Sequence, residues 1–245
     1  MYKSPIFLNA GDKAMVVELG DSINPEVNRL VHSLNNKISS FNINGIIDSV
    51  PSYKSILIMF DPLQISSSEI QSKIANELES IQHQEVNTQL IVHVPTLYGG
   101  DFGPDLSFVS KHTNIDEPDV IDLHSSKKYL VYMMGFSPGF PYLGGLPSEL
   151  ETPRLDTPRP KISGGSVGIA DKQTGIYPND SPGGWRIIGR TPIKLFDQNK
   201  TPPTLLIPGN YLKFDPLPDL DSYLELQSNY QNGSFEPNVE KINEK

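Results

Sequence analysis

The 245-residue sequence has no cysteine, which excludes disulfides, thiolate catalysis and cysteine-ligated zinc while leaving the redox compartment open. No stretch reaches the ~18 consecutive apolar residues of a membrane span. The start, MYKSPIFLNAGDKAMVVELG, lacks the basic-then-apolar layout of a secretory signal. The chain is therefore expected in the cytoplasm and off the membrane. G-x-x-x-x-G-K-[ST] and G-x-G-x-x-G are both missing, so there is no conventional nucleotide cradle. The five histidines, His32, His83, His93, His112 and His124, form no H-E-x-x-H or comparable ligand pair, and no metal is expected. A net charge of −9 argues against a nucleic-acid or anionic-membrane surface.

What is present divides into two textures. Residues 5–20 read as a hairpin turning at Gly11-Asp12. After Asn24-Pro25, the residues Val27, Leu30, Val31, Leu34 and Ile38 recur at helical spacing. INGIIDSVP and KSILIMF follow as strands. Ser66 and Glu69 then form a capping box ahead of Ile70, Ile74, Leu78 and Ile81. The order ββαββα predicts a small α+β domain over 1–85, ferredoxin-like in layout. Over 86–216, two short helical patterns (104–112 and 116–125) lead into short apolar runs split by glycine and proline. KYLVYMMG, SVGIA, WRIIG, IKLFD, TLLIP and NYLKFD predict a sandwich or barrel. Residues 217–245 read as a polar C-terminal tail.

GFSPG at 135–139 matches the G-x-S-x-G of serine hydrolases, but the residue after Ser137 is Pro138. A nucleophile elbow draws half of its oxyanion hole from that residue's N–H, which proline lacks. Ser137 is therefore a turn hydroxyl. The loop it belongs to, with Phe136, Phe140 and Tyr142, can wall a pocket or close a barrel end. Between Glu151 and Lys200 eight Lys/Arg face five Asp/Glu, against the trend of the chain, so an anionic ligand could be received there. In that segment Gly164, Gly165 and Ser166 offer backbone donors, and Gln173 and Thr174 add an amide and a hydroxyl. Tyr177 and Trp185 supply aromatic walls, and Arg186 or Arg190 could take a carboxylate or phosphate. These residues, with Phe140, form the candidate substrate-binding set. His124, before the strand into the 135–145 loop, is the candidate acid or base, or else a helix C-cap.

Three segments, VPTLYGGDFGPDL (94–106), VIDLHSSKKYLVYMMGFSPGFPYLGGLP (120–147) and TPRPKISGGSVGIADKQTGIYPNDSPGGWRIIGRTPIKLFD (157–197), resemble the PxpB family of 5-oxoprolinase B subunits, also called KipI-like or allophanate hydrolase subunit 1. The family pattern reads Pro-Ala where this chain has Ser163-Gly164. The resemblance implies a small α+β domain followed by a cyclophilin-like β-barrel similar to half of a urea carboxylase carboxyltransferase domain. The implied activity is ATP-dependent opening of 5-oxoproline to L-glutamate, in a complex with PxpC-like and PxpA-like subunits and with a site shared with PxpC. A five-membered lactam is a stable amide, and phosphorylating its oxygen would create a leaving group before water attacks. Two alternatives carried by the same resemblance are a urea carboxylase or allophanate-type role and inhibition of a sporulation-type histidine kinase.

Overall fold

The computed structural model describes residues 1–41, 43–81, 89–135 and 137–242. The chain forms two compact units, Met1–Asn87 and Thr88–Lys245. The expected boundary near residue 85 falls in 82–88, outside the described residues, as does Phe136.

The first unit runs β1 (Ile6–Asn9), β2 (Ala14–Glu18), α1 (Pro25–Phe41), β3 (Ile46–Pro51), β4 (Ser55–Phe60) and α2 (Ser67–Ile81). Its sheet is antiparallel throughout, in the order β1-β2-β4-β3. The turn between β1 and β2 uses Gly11 at φ +77°, where a side chain would be strained. Asn24 caps α1, accepting from Glu26 N–H at 2.7 Å. The capping box of α2 forms in both directions: Glu69 Oε2 accepts from Ser66 N–H at 2.9 Å, and Ser66 Oγ from Glu69 N–H at 3.3 Å. The apolar stripes of both helices are buried with Met15, Val17, Ile56 and Ile58 of the sheet. The ββαββα order differs from the βαββαβ of ferredoxin-like domains. The strand that would close that order stands first here, because a two-strand hairpin opens the chain.

The second unit begins with β5 (Gln89–Tyr98), α3 (Leu106–Thr113), α4 (Glu117–Ser125), β6 (Lys128–Met134) and β7 (Pro141–Gly144). It continues with β8 (Arg159–Ile162), β9 (Ser166–Ala170), β10 (Gln173–Ile176), β11 (Ser181–Gly183) and β12 (Arg186–Arg190). It ends with β13 (Tyr211–Pro216), α5 (Leu220–Gln231) and β14 (Val239–Ile242). The main sheet runs β10-β9-β12-β5-β13-β6-β7, with β14 also on β5, and its two ends, β10 and β7, lie side by side. This is a nearly closed, barrel-like sheet. Val94, Tyr129, Val131, Val167, Ile169, Ile188, Leu212 and Phe214 fill its interior. Among the described residues no helix is long and apolar enough to cross a membrane.

Two expectations change. IKLFD and TLLIP form no strands and meet only through the bridge Phe196↔Thr204 and the bond from Leu205 N–H to Leu195 O at 2.9 Å. Pro202, Pro203 and Pro208 remove donors that a ladder would need, although Leu195 and Leu206 still bury. The segment after Pro216 is not a tail. Asp219 accepts from Ser222 N–H at 2.8 Å to cap α5, Tyr223 of that helix is buried, and β14 pairs antiparallel with β5. His93 of β5 lies between Asp215 of β13 at 2.8 Å and Glu240 of β14 at 3.0 Å, joining the three strands through side chains as well.

The loop after β5 is fixed to the sheet by one buried carboxylate. Asp105 Oδ2 accepts from Ile187 N–H at 2.6 Å, Oδ1 meets Arg159 Nη2 at 2.8 Å, and Asp105 N–H donates to Ile187 O at 2.8 Å. Asp105→Ala would leave the Ile187 N–H and the Arg159 guanidinium without this acceptor. The expected cost is about 2–3 kcal/mol, read as a lower urea midpoint at unchanged m-value. An unaltered midpoint would show that the loop is held by other contacts.

Candidate functional site

The glycine loop between β8 and β9 is built tightly. Gly165 takes φ +83°, and a Cβ there would collide with Thr191 O. Its N–H donates to Tyr177 O at 2.7 Å and its carbonyl accepts from Thr191 N–H at 2.9 Å. Gly164 N–H donates to Asp180 Oδ1 at 2.9 Å, and Ser166 N–H to Ser163 O at 3.2 Å. The second oxygen of Asp180 meets Lys161 Nζ at 2.8 Å. Lys161, helped by the Gly164 N–H, holds the Asp180 carboxyl below its ordinary value. The three N–H groups that the sequence offered to a ligand are thus spent within the protein.

The aromatic residues also turn inward. Phe140, Tyr177 and Trp185 bury together with Ile162, Ala170 and Ile187 as a separate small core. Their rings meet edge to face, Phe140 to Tyr177 at 5.6 Å and to Trp185 at 5.8 Å. A Cβ on Gly175 would stand 2.9 Å from Trp185, so glycine makes room for the indole. Arg186 donates from Nε to Pro153 O at 3.2 Å and lies 3.5 Å over the ring of Phe108. Gln173 is half-buried at the head of β10.

His124 ends up in the core rather than in a cleft. Its ring is fully buried in the last turn of α4, 4.6 Å from Phe214, with Tyr129 donating to its backbone carbonyl at 2.7 Å. Thr174 is buried beside it, and its hydroxyl donates to Gly168 O at 3.1 Å. That leaves the Thr174 oxygen to accept from His124 Nε2–H at 2.8 Å, and His124 Nδ1 to accept from the Tyr98 hydroxyl at 2.8 Å. One tautomer satisfies the whole chain from Tyr98 to Gly168. Burial lowers the imidazole to about 3, so it stays neutral. Both ring nitrogens are occupied, which removes His124 as the expected acid or base and Thr174 as an expected ligand contact. Ser137 lies in a turn, its carbonyl accepting from Phe140 N–H at 2.9 Å.

Of the expected set, the structure gathers Gly164, Gly165 and Arg190 around one groove of about 540 Å³. Asn179, Asp180 and Lys194 also line it, and α5 contributes a wall with Tyr223, Gln227 and Tyr230. Arg190 is aimed by Nε, which donates to Gly164 O at 3.3 Å, and its guanidinium lies 6.0 Å over Phe102. Its two Nη groups have no hydrogen-bond partner among the described residues. Because Lys161 offsets Asp180, the groove is locally positive in an acidic chain. An oriented guanidinium with a free fork suits a carboxylate or phosphate. The α5 wall was missed because its inward face is carried by tyrosines among polar residues. The signals were Asp219 three residues before Ser222 and the spacing of Tyr223, Leu226 and Tyr230.

Residues 5–206 match the family model described as carboxyltransferase domain, subdomain C and D. The chain is similar to the 5-oxoprolinase B subunit of Bacillus subtilis, 40% identical over 86% of this chain and 92% of that one. It is also similar to the 5-oxoprolinase B subunit of Escherichia coli O157:H7, 35% identical over 84% and 93%. A crystal structure of a conserved uncharacterised protein from Pyrococcus horikoshii aligns with TM-score 0.53 and 43% identity, covering 89% of this chain and all of that one.

The neutral His124 carries a pH dependence. Unfolded, the ring takes up a proton near its ordinary 6.5, whereas folded it resists down to about 3. Its contribution is therefore complete above about pH 6.5 and declines as the pH falls from there toward 3, by at most about 1.4 kcal/mol per pH unit. His124→Gln is expected to be less stable at pH 7 but to show a shallower loss between pH 6.5 and 5 in urea titrations. Equal slopes for the two proteins would contradict the buried neutral ring.

Proposed function

The chain belongs to the PxpB family of 5-oxoprolinase B subunits, and on that premise we propose that it is the B subunit of an ATP-dependent 5-oxoprolinase that opens 5-oxoproline to L-glutamate in a site shared with a PxpC-like subunit, alongside a PxpA-like one. The observation that carries this reading is the match to two proteins named as 5-oxoprolinase B subunits over more than nine-tenths of each. The groove agrees with it chemically. 5-Oxoproline is a small anion, a neutral lactam ring bearing one carboxylate, and the unspent fork of Arg190 suits that carboxylate.

The groove also supports a role that needs partners. Its volume far exceeds that of the small ring, leaving space for groups from another chain. Its described lining contains no histidine, and its carboxylate, Asp180, has both oxygens engaged. A general base for attacking water therefore has to come from elsewhere. Neither usual phosphate cradle is offered by the described residues: the loop N–H groups at 164–166 are taken, and the sequence has no P-loop. The proposal assigns ATP to the partner subunits and gives this chain the task of holding and orienting the lactam.

The purified chain with 5-oxoproline and ATP is expected to release no glutamate, and addition of the PxpC-like and PxpA-like subunits is expected to produce turnover. In that complex Arg190→Lys, which keeps the charge but loses the fork, should raise KM for 5-oxoproline about tenfold. Glutamate release by the chain alone, or an assembled complex that leaves 5-oxoproline intact, would overturn the reading.

A further inference from the structure

Gln227 is the half-buried carboxamide of the groove; Asn179 and Gln231 are exposed. Its side-chain amide has no hydrogen-bond partner among the described residues. The helix holds it in place from both sides. Four residues earlier Tyr223 is buried with its ring 4.6 Å from Phe102, and three residues later the Tyr230 hydroxyl donates to Lys194 O at 3.2 Å. Positions 223, 227 and 230 share one face of α5, so Gln227 stands on the groove side between two anchored rings. The amide is therefore held at the groove surface with both its donor and its acceptor open to water or to a ligand.

We propose that Gln227 recognises the lactam edge of the substrate, making α5 the element that distinguishes the closed ring from its open-chain product. This rests on the oxoprolinase reading above. A primary carboxamide presents one N–H donor and one carbonyl acceptor side by side. A ring lactam is a cis amide, so its N–H and C=O also lie along one edge in complementary order, and the two groups close a pair of hydrogen bonds. Glutamate has no such edge: its amine is a cation and the former carbonyl is a second carboxylate. Arg190, on β12, takes the carboxylate that substrate and product share, while Gln227 reads the group that the reaction destroys. A site that hydrogen-bonds a specific donor discriminates strongly against a ligand lacking it. The helix lies beyond residues 5–206, the span matched by the family model.

The test measures binding by the full chain, through saturation-transfer NMR titration, of 5-oxoproline and of N-methyl-5-oxoproline, which lacks the lactam donor. The wild type is expected to favour 5-oxoproline about tenfold. Gln227→Ala and the near-isosteric Gln227→Met, which lose the acceptor for the lactam N–H, should each bring the ratio close to one while thermal unfolding stays unchanged. In the reconstituted complex both variants should raise KM with kcat within about twofold. Equal binding of the two lactams by the wild type, a preference retained in both variants, or binding of neither lactam would each overturn the proposal. A preference that depends on Gln227 in a complex that releases no glutamate would uphold the lactam site and overturn the oxoprolinase reading instead.

Discussion

Strand β5 has to satisfy backbone hydrogen bonds along both edges, and it does so with three partners at once. β13 runs parallel to it on one side, while β14 and then β12 occupy successive lengths of the other. This arrangement places the end of β12, and with it Arg190, directly across from Leu97. It also delivers Tyr98 to His124 and sends the chain into the loop that Asp105 ties back to Ile187. His93 hydrogen-bonds Asp215 and lies 3.0 Å from Glu240, and β14 pairs with β5, so β14 belongs to the sheet that supports the groove.

The groove follows from how the polar groups around it are consumed. The β8–β9 loop spends its N–H groups on Tyr177, Asp180 and Ser163, which makes it a rigid wall rather than an anion nest. Asp180 spends its oxygens on Gly164 and Lys161. What remains available is largely cationic or amide: the Arg190 fork, Lys194, the half-buried carboxamide of Gln227 and the exposed ones of Asn179 and Gln231. The positive character of the groove therefore depends on internal pairing of the one nearby carboxylate as much as on the basic residues themselves.

Local patterns were legible in the sequence where they depend on neighbours in the chain. Ile70, Ile74, Leu78 and Ile81 bury as their spacing predicts, and the Ser66–Glu69 box forms because both partners belong to one turn. SVGIA and NYLKFD are strands because β-branched and aromatic residues alternate or cluster between turn formers. Long-range pairing was not legible. Gly164 shows its freedom in sequence but not that Asp180 lies beneath its N–H, and His124 does not reveal that Thr174, fifty residues on, closes over its ring. The polar 217–245 stretch concealed a helix whose buried contacts are made by Tyr223 and a strand whose stability comes from β5. Arg190 was visible among the candidates, whereas the wall opposite it was not.

A crystal structure of the assembled complex with 5-oxoproline would test most directly whether this groove holds the lactam. The account predicts density for the ring between β12 and α5, with its carboxylate against the Nη atoms of Arg190 and its N–H and carbonyl facing the Gln227 side chain. A ring held instead against the Gly164 to Ser166 backbone, or among Phe140, Tyr177 and Trp185, would contradict it, because the account has those donors spent and those side chains packed as core.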